Sequence, residues 1–142
     1  MRNGELAAIH ARSRARYPTG ARHRFREAVP LTNDALVLHP HEHAEWRPDK
    51  MGKSTLFESQ RLMVGLNAFE PGQSHRLHAH AGMDKLYYVI DGEGLFLLEG
   101  SEKPMRAGDV LVAPDGVPHG VRNSSSARLL VMVVLAPAPR HE

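Results

Sequence analysis

Two histidines spaced two apart, His78 and His80, are the residues in this 142-residue chain most clearly able to do chemistry. In an extended strand, side chains at i and i+2 lie on one face, so two imidazoles there could share one metal ion. Imidazole nitrogen ligates Zn, Fe, Cu or Ni, and Mn less characteristically. A third histidine, His119, lies further along between Pro118 and Gly120. His39, His41 and His43 repeat the spacing, but Pro40, Glu42 and Glu45 flank them, and that series reads as a solvated surface segment. The chain has no cysteine, which excludes disulfides and thiolate ligands. Nothing in it resembles a Ser-His-Asp triad, a phosphate loop or a zinc-finger spacing.

The elements that must position these histidines are short strands. From Lys53 onward the chain alternates β-like runs with turn residues: Ser54 to Glu58, Arg61 to Phe69, Leu86 to Ile90, Leu95 to Leu98, Val110 to Ala113, His119 to Arg122 and Leu129 to Leu135. Pro71-Gly72, Asp91-Gly92 and Pro114-Asp115-Gly116 separate several of them. Such spacing, with no helix-length periodicity after residue 50, predicts an all-β sandwich or barrel. Upstream, Leu36-Val37-Leu38 reads as a short strand, and Gly4 to Arg16 as a short helix. Trp46 is expected to cover one sheet face.

The surroundings of the histidines are as specific as the histidines themselves. From Gly72 the chain reads G-x5-H-x-H through His78 and His80, followed by Lys85 and Gly92. From Gly108 it reads G-x5-P-x-G-x2-H-x3-N through Pro114, Gly116, His119 and Asn123. These stretches resemble the two signature motifs of the cupin superfamily. The second matches at every signature position and the first at every position but one. The resemblance covers about residues 53–136. It implies a double-stranded β-helix, the small jelly-roll barrel, with a divalent metal (Zn, Fe, Mn, Ni or Cu) on His78, His80 and His119.

Lys85 is the departure. Cupins with four protein ligands usually carry Glu there, and an ammonium repels a cation at short range. Alternation should turn Lys85, Tyr87 and Val89 inward and Asp84, Leu86 and Tyr88 outward. Three arrangements stay open: a three-histidine centre with free coordination positions, Asp84 swinging in as a ligand through a bulge, or Lys85 reaching past the metal to an acidic group of ligand or protein. As a base, or as the holder of a substrate carboxylate, Lys85 is the candidate catalytic residue. Gln73 and His75, beside the motif, read as turn residues, with lining of the barrel mouth as the alternative.

Charge divides the chain. Residues 1–29 carry seven Arg against two Glu, a net +5, and the remainder eleven basic against fourteen acidic residues, a net −3. Residues 1–29 therefore read as a basic, irregular leader, 30–52 as an extension or exchanged strand, 53–136 as the barrel and 137–142 as a tail. A nucleic-acid reading therefore rests on residues 1–29 alone, as a tail recruiting nucleic acid or an acidic partner, and is the least favoured. The expected partner is a small molecule, and lone cupin domains imply a homodimer. No apolar run is long enough to cross a membrane, and no secretory signal is read at the N-terminus. A cytoplasmic location follows as an expectation. The expected function is an enzyme of dioxygenase or isomerase type acting on a small polar metabolite. The rival expectation is a non-catalytic module that binds or senses a small molecule.

Overall fold

The computed structural model describes residues 34–141. After a single turn of 3-10 helix at Pro40–His43, nine strands follow: β1 Gly52–Glu58, β2 Met63–Phe69, β3 Ser74–His78, β4 Asp84–Asp91, β5 Glu93–Leu98, β6 Ser101–Arg106, β7 Val110–Ala113, β8 His119–Arg122 and β9 Leu129–Ala136. They form a five-stranded sheet, β1-β2-β9-β4-β7, facing a four-stranded sheet, β3-β8-β5-β6. All pairings are antiparallel. This is the expected jelly-roll barrel.

Two of the expected strands keep their bounds, β7 and β8, and the others shift by one or two residues at their ends. β3 and β6 are additional. β6 is polar and carries Pro104, which its position at the edge of the four-stranded sheet tolerates. The expected strand at Leu36–Leu38 is not formed. β1 is already the outer strand of its sheet, and Val37 is exposed. Leu38 packs instead on an outside cluster. The expected helix over Gly4 to Arg16 lies outside the described residues.

Register shows which side chains share a face. Between the sheets lie Met51, Phe69, Tyr87, Val89, Phe96, Met105, Val121, Leu129, Val131 and Val133. A fully buried Val, Leu or Phe contributes about 1.5–3 kcal/mol, so this cluster holds the sheets together. A second cluster, Leu56, Leu66, Ala68 and Leu130, lies on the opposite face of the five-stranded sheet. Leu38, Ala44 and Trp46 cover it, as the sequence led us to expect of Trp46. The stretch from Leu38 to Trp46 thus closes the outer face, leaving the inner face for chemistry.

Candidate metal centre

β3 and β8 carry His78 and His119 directly opposite each other. β3 gains an extra residue between His75 and His78 relative to β8. A bulge of this kind resets the alternation of a strand. His75 pairs with the inner residue Val121 and His78 with His119, so both imidazoles face inward although three residues separate them.

His80 lies beyond the end of β3, so the expected same-strand pair is corrected. Its position comes from a loop stapled to the loop preceding His119. The amide of Gly116 donates to the His80 carbonyl at 2.9 Å, and the Gly82 amide donates to Asp115 at 2.6 Å. The Asp115 amide donates to the Asp84 carboxylate at 2.9 Å. Asp84 is thereby occupied on the outside, which removes it as an inward ligand.

The three histidines offer ligand atoms that all lie within 4.8 Å of one another. Nδ1 of His78 lies 2.6 Å from the Arg76 carbonyl, and Nδ1 of His119 lies 2.8 Å from the Val117 carbonyl. A carbonyl only accepts, so each Nδ1 carries the proton and each Nε2 keeps its lone pair. Nε2 of His78, His80 and His119 is buried with no hydrogen-bond partner. Buried polar atoms seldom stay unpaired, so two orphan lone pairs beside a third unpartnered Nε2, that of His80, fit a cation.

Electrostatics keeps the donors neutral. Burial lowers His80 to about 4, helped by the Lys85 charge. Burial also lowers His78 and His119, partly opposed by their carbonyl hydrogen bonds. Neutral imidazoles are the form that ligates a metal.

Lys85 faces inward, as alternation predicts, and is 5% exposed. Its Nζ lies 4.6 Å from the centroid of the Tyr87 ring. Tyr87 in turn stands edge-on to His119, with ring centroids 5.6 Å apart. Burial, then the charge of Lys53, brings Lys85 down to about 8. Burial pushes the Tyr87 phenol up.

Three further residues lie beside the centre, two of which, Lys53 and Asn67, the sequence does not point to. His75 is not the turn residue the sequence favours but fits the alternative beside the mouth: its ring lies 4.1 Å from that of His78, and burial lowers it to about 3. Its inward direction depends on the bulge, which nothing in the motif announces. Lys53 pairs with Asn67 across β1 and β2, and Asn67 pairs with the inner residue Val131, so both face inward. Strand alternation from Gly52 would have shown this had the pairing been known. Gln73 keeps its expected turn role: it accepts from the Glu70 amide and donates to the Arg47 carbonyl. Asn123 of the second motif is also structural, donating to the carbonyls of Phe69 and Ala127.

With this geometry in view, the family comparison has a structural counterpart. A model of the cupin domain matches residues 65–135, which contain all three histidines. The oxalate-binding protein of Thermotoga maritima is 32% identical over 85 residues, 60% of this chain and 69% of its own length. The acireductone dioxygenase of Rhodopseudomonas palustris is 28% identical over 111 residues, 75% of this chain and 53% of its own length. This chain thus matches about half of that dioxygenase. A crystal structure from Thermus thermophilus is 39% identical, covers 72% of this chain and 98% of its own, and superimposes with a TM-score of 0.69.

Proposed function

The chain belongs to the cupin family, and from that premise we propose that it is a metal-dependent enzyme, of dioxygenase or isomerase type, that acts on a small polar, anionic metabolite. The observation that carries this reading is the convergence of three buried, unpartnered Nε2 atoms from His78, His80 and His119. A divalent ion bound there supplies Lewis acidity or, if it is iron or copper, oxygen chemistry. Three protein ligands leave positions open, which is the pattern of catalytic rather than structural sites.

The remaining roles fall to this chain's own side chains. His78 and His119 are fixed in orientation by the carbonyls of Arg76 and Val117. Lys85 holds a substrate carboxylate in its charged form. In the fraction that is neutral near its lowered value, Nζ accepts a proton from a bound substrate. The relative named as an oxalate-binding protein supports a small anionic ligand, and the one named as a dioxygenase supports the reaction class.

A second reading, a non-catalytic binding module, is favoured by Lys85 in the place of a ligating carboxylate and by the Thermotoga relative's name. Elemental analysis of the purified protein, beside a His78→Ala/His119→Ala variant, tests the centre. We expect close to one metal per chain, lost in the variant. A parent that contains no metal and takes none up overturns the centre. Oxygen uptake or turnover with a panel of small acids then separates the readings, because binding without turnover favours the second.

A further inference from the structure

The barrel buries a positive charge beside three neutral ligands and brings no negative charge to meet it. Lys85 is buried, and no Asp or Glu is buried among the described residues. Lys85 forms no ion pair there, although five form elsewhere on the molecule. Its Nζ lies over the Tyr87 ring, and that ring stands edge-on to His119. On the other side Lys85 pairs with Ala113, the last residue of β7. Just beyond Ala113 the Gly116 amide holds the His80 carbonyl, and the carboxylate of Asp84, next to Lys85, holds the Asp115 amide. Short chains of contacts thus tie Lys85 to two of the three ligands. Its charge acts on all three, adding to the burial that keeps His78, His80 and His119 neutral.

A divalent ion on three neutral imidazoles keeps its full charge, and the ammonium adds another positive charge in the same buried region. Like charges repel most strongly where the dielectric is low. Loss of an electron from the ion raises that repulsion, and no protein carboxylate offsets it. The Tyr87 phenol, pushed up by burial, supplies no counter-charge either. The penalty grows with the charge of the ion, so it falls more heavily on the oxidised form than on the reduced one. Burial and fixed charge around the ligands are among the means by which a protein sets the potential of a bound metal.

We infer that Lys85 holds a redox-active ion of the three-histidine centre in its lower oxidation state, so that the centre by itself serves as a Lewis acid and resists one-electron oxidation. This rests on the metal reading above and narrows it. Isomerase chemistry needs no change of oxidation state. Oxygen chemistry at this centre needs an anion on the ion first, to bring the negative charge that the chain does not provide.

The test uses the full chain loaded with copper, whose oxidised form is read by electron paramagnetic resonance during a potentiometric titration. Parent and Lys85→Arg should have the same potential, because both carry a positive charge. Lys85→Met should have a lower one. At a fixed potential its ratio of oxidised to reduced copper should rise at least tenfold, which is about 59 mV for a one-electron couple. Lys85→Glu should lie lower still. A merely structural role for Lys85 would not order the variants by charge. Zn(II) affinity, measured by competition with a chelator, serves where a variant loses its copper. It should tighten in Lys85→Met and Lys85→Gln, because a neighbouring positive charge is removed. If copper binds the parent, is lost in His78→Ala/His119→Ala, and keeps one potential whatever the charge at position 85, this inference falls and the metal reading stands. Looser zinc in both neutral variants has the same meaning. If the parent takes up no copper, or the double histidine variant keeps it, the metal reading falls and takes this inference with it.

Discussion

An ammonium group that is 5% exposed and faces no carboxylate among the described residues loses its hydration without recovering it in an ion pair. The Tyr87 ring face returns part of the loss. Lys85 is therefore a residue the barrel keeps at the expense of stability. Its value of about 8 in the folded chain lies well under the ordinary lysine value of 10.5. Below pH 8 both states hold the proton, and the full cost is present. Between pH 8 and 10.5 the folded chain releases the proton while the unfolded chain keeps it, so stability rises with pH. Lys85→Met should raise the stability of the metal-free protein at pH 7 by about 1–3 kcal/mol, on the scale of 1.36 kcal/mol per pKa unit. Urea unfolding at several pH values checks this: the gap between variant and parent should close as pH approaches 10. A parent as stable as the variant at pH 7 would show that an anionic partner already sits on Lys85. The inward direction of Lys85 was legible from alternation alone, because β4 is regular at that point. The three ligands were legible because their spacing is a motif. Lys53 and Asn67 were not, because each becomes informative only when β1 is paired with β2.

The strand pair β3–β8 brings the ligands together, and its close approach depends on Gly120. A Cβ on Gly120 would stand 2.6 Å from the His75 carbonyl oxygen and 3.0 Å from backbone atoms of Arg76 and Leu77. All of these are main-chain atoms that no rotamer change can move. Gly120→Ala must therefore push β3 away from β8, and with it His78 away from His119. We expect a loss of about 1–3 kcal/mol in stability, as for other overpacked sites, and a drop of at least tenfold in metal affinity. Gly94→Ala is the control. Its Cβ would meet the Arg122 carbonyl oxygen at 2.5 Å, on the side of β8 away from β3. That variant should lose comparable stability with a much smaller change in metal affinity. Equal loss of affinity in both would mean that general destabilisation, and not the β3–β8 spacing, sets the site. At this scale the sequence was readable wherever strands are apolar or β-branched. It was opaque at polar β6, and at β3, whose run of Ser, His and Arg carries no alternating pattern. The bulge that aims His75 inward is a property of the pairing and is invisible in either strand alone.

At the scale of the whole molecule, the barrel gathers four histidines in one cluster and buries Lys85, while the carboxylates that form ion pairs among the described residues keep contact with solvent. The composition hid this, because the net charge of the body is negative and the positive residues that matter are a small minority of it. The consequence is a defined response to acid. His75 and His80 are held at about 3 and 4, and His78 and His119 are also lowered, all chiefly by burial. Unfolded, each takes up its proton near the ordinary value of 6.5. As pH falls below 6.5 the unfolded chain binds protons that the folded chain refuses, so folding stability falls. The metal-free protein should keep a constant melting temperature from pH 8 to 7, apart from the rise due to Lys85 above pH 8, and lose stability steadily from pH 6.5 to 4.5. His75→Leu should flatten that decline without abolishing it, since three lowered histidines remain. Added Zn(II) should raise the melting temperature at pH 7 and lose its effect toward pH 5, because protons and metal compete for the same Nε2 atoms. Thermal melts across this range, with and without zinc, measure all three curves. A zinc effect of equal size at pH 7 and pH 5 would mean that the ion binds somewhere other than the three imidazoles.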